Sequence, residues 1–424
     1  MCAMSRSIAT NEIPVAANVR PRMFCGRVIL PDQIIDGGAV RTTIGVIDAV
    51  GTRDEIHGTG HGELIDVGDG YIAPGFVDLH VHGGAGSDFM DGTREAFETV
   101  TAAHARHGTT SMVPTSTVAR HEQILEFLRL TRQATGEPPR GARVLGAHFY
   151  GPYFGREARG CHPAEPLRAP CPAEFEEYLA FADSILTATV APELDGAEAF
   201  ARACAARGVR VNVGHSHATF DQTAAAVEWG ARHVDHLFCA MSDRARLRQT
   251  QTYPMRGGVL EATLFFDELT TEVIADGKHL TRELLRLALK IKSPDRLALV
   301  TDCNRALDMP DGEYVFGPRD GGERFVHRDG VGIMPDGASL ASGATGMDHA
   351  VRTFHNLTST PLPLVVRMAS LTPACIVGWD DRIGSLEPGK LADIVVLDRE
   401  LHVRRVFVGG VELSSQELAG AVQR

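Results

Sequence analysis

No apolar run in this 424-residue chain approaches the ~20 residues a membrane-spanning helix needs, so a helical membrane protein is excluded. No CxxC pair occurs either. The eight cysteines (Cys2, Cys25, Cys161, Cys171, Cys204, Cys239, Cys303 and Cys375) scatter over the whole length. That scatter speaks against a disulfide framework and for a reducing, cytoplasmic setting. Positive charge is in deficit: 42 Lys+Arg face 54 Asp+Glu, a net −12, which argues against a broad nucleic-acid surface. There is no GxGxxG at a first strand-to-helix turn, no short repeat and no low-complexity tract. The stretch Met1–Asn18 carries Arg6 but no apolar core, so it does not read as a secretory signal, and residues 1–20 are expected to form a loose tail.

What is present is an ordinary globular composition, 44% apolar and 23% charged. Residues 21–71 and 384–424 share one style, short apolar runs broken by Gly and Asp, as in FCGRVIL and KLADIVVLD. Neither piece alone could bury a good face, so the two together are expected to build one small β-sandwich. Between them, over 72–383, strand candidates alternate with helical patterns. The strands are GFVDLHVH (75–82), TTSMVPTS (109–116), RVLGAHFYG (143–151), ILTATVAPE (185–193), VRVNVGHS (209–216), HVDHLF (233–238), EVIADGKH (272–279) and RLALVTDC (296–303). Intervening segments such as REAFETVTAAHARHG and TFDQTAAAVEWG repeat apolar residues at three and four and close on Gly. Eight such units suit an α/β fold of the (β/α)8 TIM-barrel type, with a doubly wound sheet as the alternative. Residues 313–342 leave the alternation and read as a β-hairpin excursion after the eighth strand.

Chemistry concentrates at the strand ends. His80 and His82 lie two apart in a strand and so point the same way, half of a divalent-metal site. His215, His236 and Asp302 fall near the ends of the fifth, sixth and eighth strands, where barrel side chains converge. These five are the expected metal ligands. His217 and His233 are off register and read as structural or surface residues.

In this order the segments resemble the amidohydrolase superfamily, and more closely its N-acetylglucosamine-6-phosphate deacetylases, from Ile72 to Leu413. The carriers are APGFVDLHVHGG, GTTSMVPTS, GAHFYGPYF, RGCHP, VNVGHS, HLFCAMS, IADGKH, LVTD, LASGATGMDHAVR and GSLEPGKLADIVVLD. The resemblance implies hydrolysis of the acetamido group of an N-acetylamino sugar, with a divalent cofactor, Zn²⁺ or else Fe²⁺, that makes water acidic. It implies Asp302 as general base and His162 as polariser of the carbonyl. His279, Cys239, Ala240, Leu340, Ala341 and Ser342 would line the sugar phosphate. Arg256 would bind the phosphate across a homodimer interface, with Arg244, Arg246 and Arg248 as competitors. The partner is then a small amino sugar, with neither nucleic acid nor membrane.

Two departures stand out. The family's third-strand HLEGP, whose Glu is a metal ligand, reads His148-Phe149-Tyr150-Gly151-Pro152 here, so a phenol replaces the carboxylate. The family's Asn-Ala reads Cys239-Ala240, which removes an amide donor. One ion held by His80, His82 and Asp302, with His215 able to join, is therefore expected, against a two-ion site with Tyr150 near the bridging position. An N-acyl amino acid or an unphosphorylated N-acetyl sugar are alternative substrates, and a catalytically inactive binding barrel is the other reading.

Overall fold

The computed structural model describes residues 19–56, 62–137, 139–250 and 253–413. The expected tail over 1–20 lies almost wholly outside them, as do residues 414–424. Both ends of the chain meet in one seven-stranded sheet. Arg22–Ile29, Ile34–Thr43, Val46–Thr52 and Glu63–Pro74 come from the front, and Ile394–Leu397, Val403–Val408 and Val411–Glu412 from the back. The seam is antiparallel, with Ile72 opposite Val396. Phe24, Val40 and Ile72 share one buried cluster with Ile394, Val396 and Phe407, and the Phe24 and Phe407 rings meet edge-on at 4.8 Å. Each end thus supplies the apolar surface that the other lacks.

The strand Glu63–Pro74 hands over to the barrel at Gly75. A Cβ there would sit 2.0 Å from Thr110 Oγ1, so only glycine allows the close approach. Eight strands then follow in chain order: Phe76–Val81, Thr109–Pro114, a split third strand (Arg143–Val144 and Ala147–Tyr150), Ile185–Val190, Arg210–Val213, Ala231–Val234, Thr270–Ile274 and Leu297–Val300. All pairings between neighbours are parallel. The ring closes where Val81 bridges Cys303, with Asp302 N–H donating to His80 C=O at 2.9 Å and His82 N–H to Cys303 C=O at 2.9 Å. Every residue of Phe76–Val81, Thr109–Pro114 and Ile185–Val190 is buried, which is why these strands read as continuous runs rather than alternations.

The helical patterns form as expected. Arg94–Arg106 is capped by the Thr93 side chain, which accepts from Ala96 N–H, and Phe220–Trp229 opens on a capping box of Thr219 and Gln222. Several strands end earlier than their sequence patterns. HVDHLF leaves the ladder after Val234, because His236 and Phe238 adopt left-handed backbones (φ 23° and 77°) that a ladder cannot accommodate. The same holds for the seventh strand, which ends at Ile274 and gives Asp276–His279 to the rim. The excursion after the eighth strand is four antiparallel strands rather than a single hairpin: Gly312–Phe316, Glu323–Arg328, Val331–Ile333 and Leu340–Gly343. It returns to the barrel where Gly343 bridges Cys303, and its Phe316 reaches over the strand ends. No disulfide links the described residues, and no described helix is long and apolar enough to cross a membrane.

Candidate active site

His80 is the last residue but one of the first strand and His82 follows its end, both within 1% of full burial, their rings 5.2 Å apart. Asp302 arrives from the eighth strand on a left-handed backbone (φ 46°), as His215 and His236 do from the fifth and sixth (φ 46° and 23°). Three non-glycine residues in that sparsely populated region, all at barrel strand ends, mark backbone strain gathered at one place. The turn swings Asp302 Oδ1 to 3.3 Å from His82 Nε2 and 3.6 Å from His80 Nε2.

The ligand geometry of His80 is preset from behind. Glu272, on the seventh strand, accepts from His80 Nδ1 at 2.6 Å, which leaves Nε2 turned toward Asp302. Glu272 also accepts from His236 N–H at 3.2 Å and faces His233 Nε2 at 3.2 Å. Burial works against the Glu272 charge, but His80 and His233 outweigh it and hold the carboxyl well below its usual range. Burial likewise opposes charging of His80, yet Glu272 and Asp302 carry it up to about 9. Asp302, despite burial, is held low by His80, His82 and His236.

Does this pocket fit a divalent cation? His80, His82 and Asp302 offer ligand atoms within 4.8 Å of one another, the donor set is two imidazoles and one carboxylate, and His80 Nε2 is buried with no hydrogen-bond partner. Separations of 3.3–3.6 Å between donors are what ligands at about 2.0–2.1 Å from one ion require. The residues fit.

The opposite wall differs. Tyr150 is fully buried at the centre of the cluster, its ring 4.6 Å from that of His80, 5.3 Å from His215 and 5.5 Å from His162. Its hydroxyl lies 2.6 Å from His236 Nε2. Burial, with Asp235, Asp302 and Glu272 nearby, pushes the phenol well above its normal value, so it stays protonated. Burial and the charge of His80 lower His236 to about 4, so that ring is neutral. The phenol therefore donates and His236 Nε2 accepts.

His215 Nδ1 donates to Ala158 C=O at 2.7 Å, and its ring stacks on Phe154 at 4.4 Å. Gly214 before it lies so close to Asp235 that a Cβ would meet Oδ2 at 2.4 Å. His162 Nδ1 accepts from Val118 N–H at 3.3 Å, so its proton sits on Nε2. Burial and the neighbouring His215 and His82 drive its pKa far down, leaving a neutral N–H donor 4.8 Å, ring to ring, from His215. Phe316 from the excursion covers His82 and His162 at 4.9 and 5.1 Å.

The other expected residues lie on the segments that follow the barrel strands. His279 follows the seventh strand and donates from Nδ1 to Asp276 Oδ2 at 2.6 Å. Leu340, Ala341 and Ser342 form the returning excursion strand, and Gly343 N–H donates to Asp302 C=O at 2.9 Å. Cys239 is half-buried and Ala240 turns left-handed (φ 49°) in the sixth-strand loop. Arg256 is exposed on the segment before the helix Val259–Phe265, with Arg246 anchored to Glu157 C=O at 3.2 Å.

Sequence reasoning missed Glu272, and it left His233 without a task although that ring faces Glu272. It also missed the floor under the site: His148 Nε2 meets Thr189 Oγ1 at 2.8 Å, and Thr189 and Asn212 donate to Asp235 at 2.6 and 2.8 Å. The available signal was a carboxylate inside TTEVIA, a strand whose neighbours demand burial on both faces.

A (β/α)8 barrel with imidazoles and a carboxylate at its C-terminal rim defines a hydrolase of the divalent-metal class, acting on amide bonds. The family model for the amidohydrolase family matches residues 71–413, and the chain belongs to that family. It is 34% identical over 340 residues to the N-acetylgalactosamine-6-phosphate deacetylase of Escherichia coli O157:H7, covering 80% of this chain and 86% of that one. It is 34% identical over 371 residues to the N-acetylglucosamine-6-phosphate deacetylase of Rattus norvegicus, covering 84% and 87%. Among solved structures, a mutant of the Mycobacterium smegmatis N-acetyl-D-glucosamine-6-phosphate deacetylase, in complex with N-acetyl-D-glucosamine-6-phosphate, superposes with a TM-score of 0.84 at 29% identity, covering 93% of this chain and 100% of that one.

Proposed function

We propose that this enzyme hydrolyses the acetamido group of an N-acetylamino sugar 6-phosphate, N-acetylglucosamine 6-phosphate or a close relative, to acetate and the amino sugar phosphate. The observation that carries the reading is the convergence of His80, His82, Asp302 and the neutral His162 on one rim, in a chain similar to deacetylases of both the gluco and galacto sugars.

His80 Nε2, His82 and Asp302 would hold the divalent ion, Zn²⁺ before Fe²⁺ on its imidazole-rich donor set, with His215 able to join. When bound, such an ion supplies Lewis acidity and lowers the pKa of water from 15.7 toward about 7. Asp302 takes the proton of the attacking water and later delivers it to the departing nitrogen. The water oxygen bonds to the carbonyl carbon and the C–N bond breaks, so the proton ends on the amine and acetate leaves. His162 Nε2–H donates to the carbonyl oxygen as negative charge builds there, a donor already oriented by Val118. His279, Cys239, Ala240 and the strand Leu340–Ser342 line the sugar. Arg256, whose planar fork suits phosphate, would act from the partner of a homodimer. A cytoplasmic location belongs to the same reading.

The test is acetate release by metal-replete protein across N-acetylglucosamine 6-phosphate, its galacto epimer, the unphosphorylated sugars and N-acetyl amino acids. The expected result is turnover of a phosphorylated sugar that chelator abolishes and Zn²⁺ restores. No acetate from any of them would sink the proposal, and turnover of an N-acetyl amino acid alone would move the enzyme to the alternative substrate class.

A further inference from the structure

The metal pocket has two sides, and only one is equipped to hold a cation. His80, His82 and Asp302 bring one carboxylate and an unpartnered imidazole nitrogen, and Glu272 stands behind His80 as a second carboxylate. On the other side His215 and His236 stand 5.1 Å apart, ring to ring, and the Tyr150 ring packs against them at 5.3 and 6.2 Å. An ion seated between His215 and His236 would need the Nε2 lone pair of His236. The Tyr150 hydroxyl, at 2.6 Å, already occupies it. His236 Nδ1 is buried without a partner, so the contact with Tyr150 is the one hydrogen bond this ring makes, and it is made through the nitrogen that an ion would need. Freeing Nε2 would leave a buried hydroxyl without a partner. A phenol, with an ordinary pKa near 10 against about 4.3 for a glutamate, also brings no negative charge to offset the cation.

We infer that the enzyme binds one divalent ion per chain, on the His80–His82–Asp302 side, and that the Tyr150–His236 hydrogen bond closes the second position. The inference rests on the reading of the pocket as a metal site, and it specifies which half of that pocket works. Tyr150 is then a positioning residue: it fixes His236 as a neutral wall of the pocket and sets the metal count.

The experiment is the zinc-to-protein ratio of the full chain, loaded with excess Zn²⁺, desalted and measured by plasma mass spectrometry, with folding followed by circular dichroism. Wild type should carry one equivalent and Tyr150→Glu two. His236→Asn should keep one, whereas His82→Asn should lose most of it. Tyr150→Phe, the variant most certain to fold, should also keep one, because the hydroxyl ligates nothing on the first side and phenylalanine brings no carboxylate to the second. Two equivalents in wild type, one in folded Tyr150→Glu, or loss of zinc from Tyr150→Phe or His236→Asn would each overturn the inference. Acetate release is scored separately: one equivalent without turnover refutes the substrate reading, and turnover with two equivalents refutes only this one.

Discussion

The two walls of the pocket are built from the same residue type and do opposite things. On the wall of strands one and eight, His80 is held by a carboxylate at Nδ1 and presents an unpartnered Nε2 beside Asp302. On the wall of strands three, five and six, His236 accepts a phenol proton at Nε2 and keeps its own on a buried Nδ1. The imidazoles are chemically identical. Their partners decide which nitrogen carries the proton, and hence which ring can meet a cation. One residue, Tyr150 where the family resemblance implies a carboxylate, is enough to make the cluster one-sided.

The comparison breaks most sharply at Asp302. Asp302→Asn should lower kcat by roughly 10²–10⁴ with the circular dichroism spectrum unchanged, because an amide cannot accept the proton of water. Activity near wild type would transfer the base role to the opposite wall. His162→Phe comes next, with kcat down by about 10²–10³ and little change in KM, as expected for a donor that strengthens only as charge develops on the carbonyl oxygen. A rise in KM alone would make His162 a binding residue instead.

Glu272→Gln sharpens the contrast without touching the reacting atoms. It keeps the shape but loses the charge behind His80, and the zinc dissociation constant, measured by chelator competition, should rise by about 10–100-fold. An unchanged affinity would mean that the carboxylate only fills space.

The smallest effect concerns the frame behind the first wall. His107, just after the helix Arg94–Arg106, sits 2.9 Å from Asp308 and 3.0 Å from Asp348, and so ties the first barrel unit to the segments after the eighth strand. Burial opposes its charge, but hydrogen bonds to both aspartates win and raise it to about 9 from 6.5. Since the folded value is the higher one, this stabilisation is complete below about pH 6.5 and fades as pH climbs through about 9. The melting temperature should fall by roughly a few degrees across that window, and His107→Gln should flatten the dependence. An identical pH profile in both proteins would remove His107 from the frame.

Much of this was legible before any coordinates. The eight strands were readable because each is a short apolar run closed by turn residues, and the helices because their caps and three-four spacing are local. His80 and His82 were readable together because a two-residue spacing fixes a shared face within one strand. Tyr150 was visible only as a misfit in its motif, since its partner His236 lies 86 residues away. Glu272 and His80 are 192 residues apart, and their meeting depends on strands seven and one, which do not pair with each other but both flank the eighth.

The chain by itself determined an α/β barrel and pointed to a small β-sandwich shared by its two ends, because periodicity and composition act over a few residues. Only the folded structure decided which imidazole nitrogen points at a cation and which is tied to a phenol. That choice hangs on strand register, on left-handed turns at His215, His236 and Asp302, and on hydrogen bonds between groups brought together from distant parts of the sequence. A proton's position on a ring is set by such neighbours, and no local pattern encodes it.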